Sequence, residues 1–367
     1  MPMRAAADAV NRQISAILSA WGMPQDLVET TAKVMVETDL MGVDSHGISM
    51  LMQYDRKFRE GRLKLDARPQ IENETVVAAR IDAGANLGHP VSVFATNLAV
   101  DKAKQCGVGV ASVRNSHHFG AAGYYARLAA ERGAIGFVTS SARGITVVPT
   151  RAAKPVLGTN PIAFAAPAAR NRPFVLDMAT STVAVGKVKV YSFNDKPLPA
   201  GWVSDGDGRP VTDAATAFKI LMESPLGGLT PVGGTPELSS HKGYGLGVLA
   251  HLLGGALSGS AFAPRDKPNE GPTDPENIGH FFMAIDPAAF RPAGDFEADV
   301  DDVIDILHGT EAADPDQPVL VAGEPEDAER ARRLKDGIPI PDALASQLRE
   351  VCERAGVDYV LEPVSVA

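Results

Sequence analysis

The sequence predicts an α/β protein in which helices at both ends of the chain enclose a middle part of strands and helices. Apolar residues near both ends recur about every 3.6 residues, which is the helical period. The middle alternates short β-branched runs with helical runs, and five prolines in residues 147–176 exclude long helices there. A content of 45% hydrophobic and 22% charged residues is typical of a globular protein.

The N-terminal part predicts three helices. The first is expected over residues 5–21 and the second over residues 24–42, because a glycine ends each of them and a proline opens the second. The motif Asp44-Ser45-His46-Gly47 follows directly. A third helix is expected over residues 49–60.

The middle part predicts strands that lead through polar loops into helices. This arrangement presents side chains at the carboxyl ends of strands, where ligands often bind. Strands are expected over residues 75–82, 107–113 and 134–139, helices over 90–106 and 121–132, and a loop over 115–120.

The C-terminal part predicts helices separated by polar segments. A glycine-rich turn is expected over residues 203–213 and a proline-rich loop over 263–278. The helices are expected over residues 242–257, 299–307, 326–337 and 342–356.

Charge, cysteines and hydropathy exclude several classes of protein. The formal net charge of −10 argues against binding to the nucleic-acid backbone. Cys106 and Cys352 form neither a disulfide framework nor a metal-spaced cluster. No run reaches the roughly 18–20 uncharged apolar residues of a membrane helix, and residues 1–20 lack a signal-peptide core. We therefore expect a cytoplasmic protein that binds neither nucleic acid nor membranes.

Two histidine motifs are candidates for acid–base chemistry. In Asp44-Ser45-His46, the imidazole can donate and accept a proton, although Asp and Ser are equally typical of helix caps. In Ser116-His117-His118, adjacent imidazoles point in different directions, so that one packed and one exposed histidine is the alternative. A metal site would need further ligands, and the sequence has no His-x-x-x-His.

Three further segments are candidates for binding an anion. Residues 177–181 follow an apolar strand and can orient a histidine or hold a phosphate, or they form a turn. His241-Lys242-Gly243 opens a helix with a positive charge and close backbone access, or its glycines serve helix packing. Gly323-Glu324 is by itself typical of helix capping. The glycines at 243–247 do not match the Rossmann dinucleotide fingerprint, because no clear strand precedes them.

Taken in order, these segments resemble one family along nearly the whole chain. It is the malate/L-lactate dehydrogenase-like family, which includes L-sulfolactate and ureidoglycolate dehydrogenases, 2,3-diketogulonate reductases and Δ1-piperideine-2-carboxylate reductases. The matching stretches are DSHG at 44–47, NSHHFGAAGYYA at 115–126, LGTNPIAFAAP at 157–167, VLDMATS at 175–181, GWVSDGDGRPVTD at 201–213, HKGYGLGVLAHLLGGALSG at 241–259 and GEPE at 323–326.

The resemblance implies a non-Rossmann, L-sulfolactate dehydrogenase-like α/β fold with a largely antiparallel cofactor-binding sheet flanked by helices. It implies NAD or NADP as cofactor, a small-molecule substrate and a homodimer. We expect residues 1–115 and 280–367 to form a helix-rich region for substrate and dimer contacts. Residues 116–279 are then expected to form the cofactor-binding sheet region.

The resemblance also implies roles for individual residues. His46 is expected to donate the proton, supported by Ser45 and Asp177, and His118 is the alternative acid or base. Cofactor contacts are expected from Asp177, Met178, Ala179, Thr180, Ser181, His241, Lys242, Gly323 and Glu324, and substrate contacts from His118, Ser141, Arg143 and Thr159.

The sequence departs from the family pattern at two places. The family usually has an arginine where Met50 stands, and methionine cannot hold a carboxylate by paired N–H groups. A glycine-rich run of the family is replaced by residues 150–154. Arg143, Arg151 and Lys154 are the candidates for the missing charge.

The first functional hypothesis is an NAD(P)-dependent oxidoreductase that interconverts a small 2-hydroxy acid, malate-like or lactate-like, and its 2-oxo acid. The alternatives are a reductase of a cyclic imino acid and a nucleotide-binding relative whose substrate changed with Met50. A hydrolase or metalloenzyme that uses the histidine clusters is a third class, for which the sequence has neither a nucleophile elbow nor a metal motif.

Overall fold

The computed structural model describes residues 3–364, within which there are twelve α-helices and eleven β-strands. The helices are α1 (Ala7–Ala20), α2 (Gln25–Leu40), α3 (Leu51–Arg59), α4 (Gly88–Cys106), α5 (Ala122–Glu131), α6 (Val185–Phe193), α7 (Ala214–Glu223), α8 (Ser240–His251), α9 (Ala263–Asp266), α10 (Asp295–His308), α11 (Glu324–Asp336) and α12 (Asp342–Ala355). The strands are β1 (Met3–Ala5), β2 (Gln70–Glu74), β3 (Ala78–Asp82), β4 (Val108–Ser116), β5 (Ile135–Ser140), β6 (Ile162–Ala166), β7 (Phe174–Met178), β8 (Val203–Ser204), β9 (Gly228–Leu229), β10 (Ile278–Ile285) and β11 (Ile338–Ile340).

A seven-stranded mixed sheet forms the centre of the fold. Its strand order is β2-β3-β4-β10-β5-β6-β7, in which β3 and β4 are parallel and every other neighbouring pair is antiparallel. The predicted class, an α/β fold with a largely antiparallel sheet flanked by helices, is therefore confirmed.

Helices cover both faces of this sheet. On one face, α4 and α5 pack against β4, β5 and β10, and their core includes the fully buried Tyr125 and Phe282. On the other face, α8 approaches β5, where the Thr139 hydroxyl donates a hydrogen bond to the Ala250 carbonyl. Both faces of the central strands are therefore dry, which favours the continuous apolar run of β10.

The central strand β10 lies outside the predicted strands. Residues 278–285 read Ile-Gly-His-Phe-Phe-Met-Ala-Ile, a short apolar run that periodicity alone does not separate from other buried segments. The predicted loop over 263–278 contains α9 and a 3₁₀ turn and ends where β10 begins. Helices α6 and α7 also lie outside the predicted set.

The sheet takes its strands from both predicted regions of the chain. Strands β3 and β4 lie in or next to residues 1–115, β5 to β7 lie in residues 116–279, and β10 crosses the boundary near residue 280. The division into a substrate region and a cofactor region stays a prediction about function.

An all-helical layer packs beside the sheet and carries the first histidine motif. Helices α1, α2, α3 and α12 share a core that includes the fully buried Ile14, Leu18, Met35 and Leu51. The pairing of β1 with β11 joins the two ends of the described chain. This layer fixes the end of α2, from which the loop of residues 44–47 projects.

None of the helices described within residues 3–364 has both the length and the apolar content needed to cross a membrane.

The core on β10 gives the first testable expectation. Phe282 is 1% exposed and meets Tyr125 edge to face at 6.0 Å between ring centroids. Phe282→Ala leaves a cavity between the sheet and α5, so we expect the free energy of unfolding in urea to fall by about 3–5 kcal/mol. Phe290→Ala is the matched control, because Phe290 is 74% exposed, and it should change this free energy by less than about 0.5 kcal/mol. Equal effects of the two substitutions would contradict this account of the core.

Candidate active site

A cavity of about 1020 Å³ opens where the loop after α2, the loop after β4, the end of β7 and the start of α11 meet. Pockets for drug-sized ligands measure about 300–1,000 Å³, so the cavity lies at the upper end of the range for ligand sites. The sequence-predicted site residues that line it are Ser45, His46, His118, Arg143, Thr159, Asp177, Ala179 and Gly323.

The loop that carries His46 is held by a buried carboxylate. Asp39, near the end of α2, is 2% exposed, and its Oδ2 accepts a hydrogen bond from the Ile48 N–H over 2.8 Å. Burial raises the pKa of Asp39 to about 8, and the Ile48 hydrogen bond offsets this only in part. A β-carbon at Gly47 would overlap the Asp39 carboxylate, so that glycine is required at this position.

Arg333 ties the same loop to α11. Its guanidinium donates a hydrogen bond to the Asp39 carbonyl over 2.7 Å and forms ion pairs with Asp44 and Glu329. The Arg333 side chain is 7% exposed. Asp44 therefore binds α11, whose N-terminal end at Gly323 lines the cavity.

His46 and His118 face each other across the cavity wall, with 5.2 Å between their ring centroids. Nδ1 of His46 lies 2.7 Å from the Ser45 hydroxyl. Nδ1 of His118 lies 2.8 Å from the Tyr54 hydroxyl and accepts a hydrogen bond from the Gly120 N–H over 3.3 Å. Within residues 3–364 neither Nε2 atom has a hydrogen-bond partner, so these nitrogens are available to a ligand.

Burial keeps both imidazoles neutral at pH 7. It lowers the pKa of His46 below its ordinary value of about 6.5. Burial also lowers the pKa of His118, to well below that value; the nearby His46 adds to the effect and the carboxylate of Glu276 opposes it. A neutral imidazole can accept a proton from a hydroxyl group or donate a hydrogen bond to an oxygen.

Asp177 lines the cavity but is not in contact with His46. Its Oδ2 accepts a hydrogen bond from the Gly123 N–H in the first turn of α5 over 2.7 Å, and the described residues show no hydrogen bond between Asp177 and His46. Burial raises the pKa of Asp177 to about 6, against the effect of that N–H. Among the described residues, the side chain that hydrogen-bonds His46 is that of Ser45, whereas Asp177 at the end of β7 is bound to α5.

Of the other predicted cofactor residues at the end of β7 and just after it, some line the cavity and some do not. Ala179 lines the cavity, whereas Met178 does not. Thr180 and Ser181 are buried in loop contacts: the Thr180 N–H bonds the Thr159 carbonyl at 2.8 Å, and the Ser181 hydroxyl bonds a backbone carbonyl.

The two other predicted cofactor segments lie at different distances from the site. Gly323 lines the cavity, and Glu324 beside it accepts a hydrogen bond from the Val321 N–H over 2.8 Å. His241 and Lys242 are exposed on the first turn of α8 and do not line the cavity. A phosphate contact from these two residues stays a prediction.

Only some of the predicted substrate residues line the cavity. Arg143 and Thr159 line the cavity, whereas Ser141 lies behind its wall, against the Gly279 backbone. Met50 packs against the core of the N-terminal layer and does not line the cavity. Arg151 and Lys154 are exposed and also outside it, so Arg143 is the one of the three candidate cations found in the site in the described part of the chain.

Several site residues lie outside the sequence-predicted set. The fully buried Tyr54 lies on the amphipathic α3, eight residues after His46. This spacing is the one feature of the sequence that could have pointed to Tyr54 as a site residue. Lys57 and Glu276 form an ion pair of 2.5 Å across 219 residues of sequence, and Glu276 lies 3.3 Å from Nδ1 of His117. A pair this far apart leaves no pattern in a single sequence.

The Arg333 network predicts a loss of stability when its cation is removed. Arg333→Gln leaves Asp44 and the Asp39 carbonyl without their cation, and we expect the free energy of unfolding to fall by about 2–3 kcal/mol. Arg332→Gln is the matched control, because Arg332 is 44% exposed and pairs with the same Glu329. The measurement is urea unfolding of both variants beside the wild type. A loss no larger in Arg333→Gln than in Arg332→Gln would show that the network does not hold the loop.

Comparisons with known proteins agree with the fold and show the family. The profile of the malate/L-lactate dehydrogenase family matches residues 5–349. The chain is 36% identical to the malate dehydrogenase of Pyrococcus horikoshii over 343 residues, which cover 93% of this chain and 92% of the relative. It is 34% identical to the L-sulfolactate dehydrogenase of Methanocaldococcus jannaschii over 347 residues, which cover 94% and 96% of the two chains. The crystal structure of malate dehydrogenase from Entamoeba histolytica matches with a TM-score of 0.92 and 29% identity, covering 98% of this chain and 99% of that one.

The antiparallel sheet, the histidine-lined cavity and these matches define an oxidoreductase of the dehydrogenase class that acts on CH–OH groups. The chain belongs to the malate/L-lactate dehydrogenase family, as the sequence motifs predicted.

Proposed function

We propose that this enzyme interconverts a small 2-hydroxy acid and the corresponding 2-oxo acid with NAD or NADP. The observation that carries the proposal is the pair His46 and His118, whose ring centroids lie 5.2 Å apart in the cavity. Hydride transfer at a carbon–oxygen bond needs a group that moves a proton at the oxygen, and histidine does so near neutral pH. The class of substrate is supported by the relatives, which are named for malate and sulfolactate.

The cavity wall fits a dinucleotide. A β-carbon at Gly186, in the lining, would meet nothing within 4 Å, so that a ligand has close access to this backbone. Helix α6 begins beside it at Val185, and its N-cap, Ala184, makes no side-chain cap, which leaves backbone N–H groups for an anion. Asp177, Ala179, Gly323 and this first turn of α6 would hold the nucleotide.

The protein's own part in the reaction is the proton and the orientation. A bound nicotinamide nucleotide supplies or accepts the hydride. We assign the acid–base role to His46: its Nε2 takes the hydroxyl proton in oxidation and returns it in reduction. The Ser45 hydroxyl suits this role, because it can accept a hydrogen bond from Nδ1–H or donate one to bare Nδ1.

His118 suits a different task. The Gly120 N–H can only donate, so Nδ1 of His118 is the acceptor and its proton is carried by Nε2. The Tyr54 hydroxyl supports the same tautomer. A neutral His118 with Nε2–H toward the cavity holds the substrate oxygen by a hydrogen bond while His46 moves the proton.

The lowered pKa of His46 predicts opposite pH profiles for the two directions. Oxidation needs the neutral imidazole, so kcat/KM for the 2-hydroxy acid should rise with pH and be half-maximal below about pH 6.5. Reduction needs the imidazolium, so kcat/KM for the 2-oxo acid should fall as pH rises through the same midpoint. Initial rates between pH 5 and 9 measure both profiles, and an oxidation midpoint clearly above 6.5 would rule out His46 as the base.

A substrate panel tests the function itself. Purified enzyme is given NADH and NADPH in turn, with a series of short 2-oxo acids and cyclic imino acids, and nicotinamide absorbance is followed. We expect turnover of at least one 2-oxo acid with one of the two nucleotides. Turnover of cyclic imino acids alone would replace this function by an imine reductase. Nucleotide binding without turnover would indicate a relative with a changed substrate, and absence of binding would overturn all three.

We also propose that the enzyme is a cytoplasmic homodimer, with dimer contacts on the region of residues 280–367. Three apolar side chains of α10 support this, because Val303, Ile306 and Leu307 are 58%, 71% and 41% exposed. Contiguous apolar surface of this kind is typical of protein interfaces. Light scattering should give twice the mass of the chain for the wild type.

A further inference from the structure

A compact group of charges lies in the cavity wall apart from the two histidines. Arg143 forms an ion pair with Glu270, and Nη2 of Arg62 lies 3.7 Å from the other oxygen of the same carboxylate. The side chains of these three residues are 11%, 16% and 19% exposed, in the order Arg143, Arg62 and Glu270. All three line the cavity, so that one carboxylate lies between two guanidinium groups at the place where a ligand binds.

Arg143 is incompletely satisfied. Its Nη1 is buried and has no hydrogen-bond partner within residues 3–364. Burial lowers the pKa of Arg143, and the carboxylates of Glu276 and Asp266 act in the opposite direction. A buried guanidinium donor without a partner is costly, and an incoming carboxylate would satisfy it.

Arg62 is held in place next to the histidine segment. Its Nε donates a hydrogen bond to the Asp274 carbonyl over 2.7 Å, and its own carbonyl lies 3.0 Å from Nε2 of His117. Glu276 pairs with the same His117. Arg62 therefore lies beside the segment that carries His118, and Arg62, Arg143 and His118 line the same cavity.

The other charges of the wall are paired, exposed or placed on other elements: Arg127 pairs with Asp327 at 2.9 Å, Asp177 lies at the end of β7, and Glu326 lies in α11. Lys57 and Glu276 neutralise each other at 2.5 Å. Arg56 and Lys267 are exposed at the cavity mouth, where water and salt screen their charge. The buried group thus carries two positive charges and one negative charge, an excess of one positive charge.

We propose that Arg143 and Arg62 bind the carboxylate of the substrate, and that Glu270 restricts the substrate to a single negative charge. This inference rests on the proposed function, because it names the class of 2-hydroxy acid as one with an uncharged far end. It separates this enzyme from the relatives that are named for malate and sulfolactate, which carry two negative charges. One carboxylate brings the group to neutrality. A second carboxylate would add an unpaired negative charge beside Glu270 in a poorly hydrated wall, which is unfavourable.

Two non-reactive analogues test this by calorimetry, so that turnover is not needed. Oxamate carries one negative charge and has the shape of a short 2-oxo acid, whereas tartronate carries two carboxylates on a hydroxylated carbon. Each is titrated into the full-length enzyme saturated with NADH or NADPH, whichever the enzyme binds more tightly, because neither analogue can accept a hydride from a reduced nucleotide. The variants are Arg143→Gln, Glu270→Gln and, as the matched control, Arg265→Gln. Arg265 is an exposed arginine of α9, in the segment just before Glu270, and it pairs with Asp266 outside the cavity.

We expect the wild type to prefer oxamate. Arg143→Gln should weaken oxamate at least about tenfold, because it removes charge-assisted hydrogen bonds. Glu270→Gln should shift the binding ratio toward tartronate at least about tenfold, since it removes the competing negative charge. Arg265→Gln should leave both affinities within about twofold, and nucleotide affinity should stay within that range in every variant.

Several results would overturn the inference. These are a wild type that binds no oxamate, unchanged oxamate affinity in a folded Arg143→Gln variant, and an unchanged ratio in Glu270→Gln. Thermal unfolding checks the fold of each variant, and Arg143→Lys, which keeps the charge but loses the planar fork, replaces Arg143→Gln if the latter fails to fold. A wild type that binds oxamate through Arg143 but turns over no 2-oxo acid would overturn the proposed function and leave the carboxylate site intact.

Discussion

His46→Ala lowers kcat for oxidation of the 2-hydroxy acid by about 10²–10⁴-fold, the range that general acid–base catalysis contributes. The substitution removes the imidazole that accepts the hydroxyl proton. Neither Ser45 nor His118, whose Nε2 already carries a proton, can take over this proton near pH 7. Nucleotide affinity, measured by nicotinamide fluorescence, is expected to change by less than about threefold, since His46 is assigned to the substrate. Steady-state rates with saturating nucleotide measure the effect.

His118→Gln is the matched variant that separates the two histidines. Glutamine keeps a hydrogen-bond donor on a side chain of similar reach, so we expect a smaller loss of kcat and a pH profile with the wild-type midpoint. His46→Ala should instead abolish that midpoint. If His46→Ala keeps the wild-type rate while His118→Gln abolishes the pH dependence, the two roles are reversed. Near wild-type rates in both variants would remove acid–base catalysis by either histidine.

Gly47→Ala is expected to lower kcat/KM by at least about 10²-fold, because a displacement of about 1 Å at a catalytic group has this effect. The added β-carbon would overlap the Asp39 carboxylate, which is buried and bound to the Ile48 N–H. The loop must then move outward, and His46 moves with it. Steady-state kinetics, together with thermal unfolding, measures both the catalytic loss and the strain.

Gly245→Ala is the control for this glycine. Gly245 lies within α8, a β-carbon there meets nothing within 4 Å, and alanine is the better helix former. Its rate should stay within about twofold of the wild type, and its stability should be equal or slightly higher. A Gly47→Ala variant with normal kinetics would show that contact with Asp39 does not position His46.

The parts of the fold that sequence reasoning predicted are those with a strong local pattern. Helices such as α1 and α12 have one apolar face and clear ends, and β4 and β5 are short β-branched runs. Strand β10 lacked such a signal, because a strand that is buried on both faces shows no alternation. The place of β10 between β4 and β5 depends on contacts with residues more than 130 positions earlier.

The same difference between local sequence patterns and contacts of distant residues applies to the predicted site. His46, His118, Asp177 and Gly323 all line one cavity, and the order of their motifs along the chain indicated the family. The expected contact between Asp177 and His46 is absent within the described residues, and His241 and Lys242 lie outside the cavity. The catalytic and binding roles of these residues stay predictions until the variants above are measured.

By itself the sequence determined the α/β class, the malate/L-lactate dehydrogenase family and the two histidines on which the proposed chemistry depends. Only the tertiary structure decided what each imidazole nitrogen contacts, which of the three candidate cations lines the cavity, and that Arg333 binds the loop that carries His46. The physical reason is distance along the chain. Periodicity and caps report interactions between near neighbours, whereas Arg333 meets Asp44 across 289 residues, and Arg143 and Glu270 meet only after the sheet has formed.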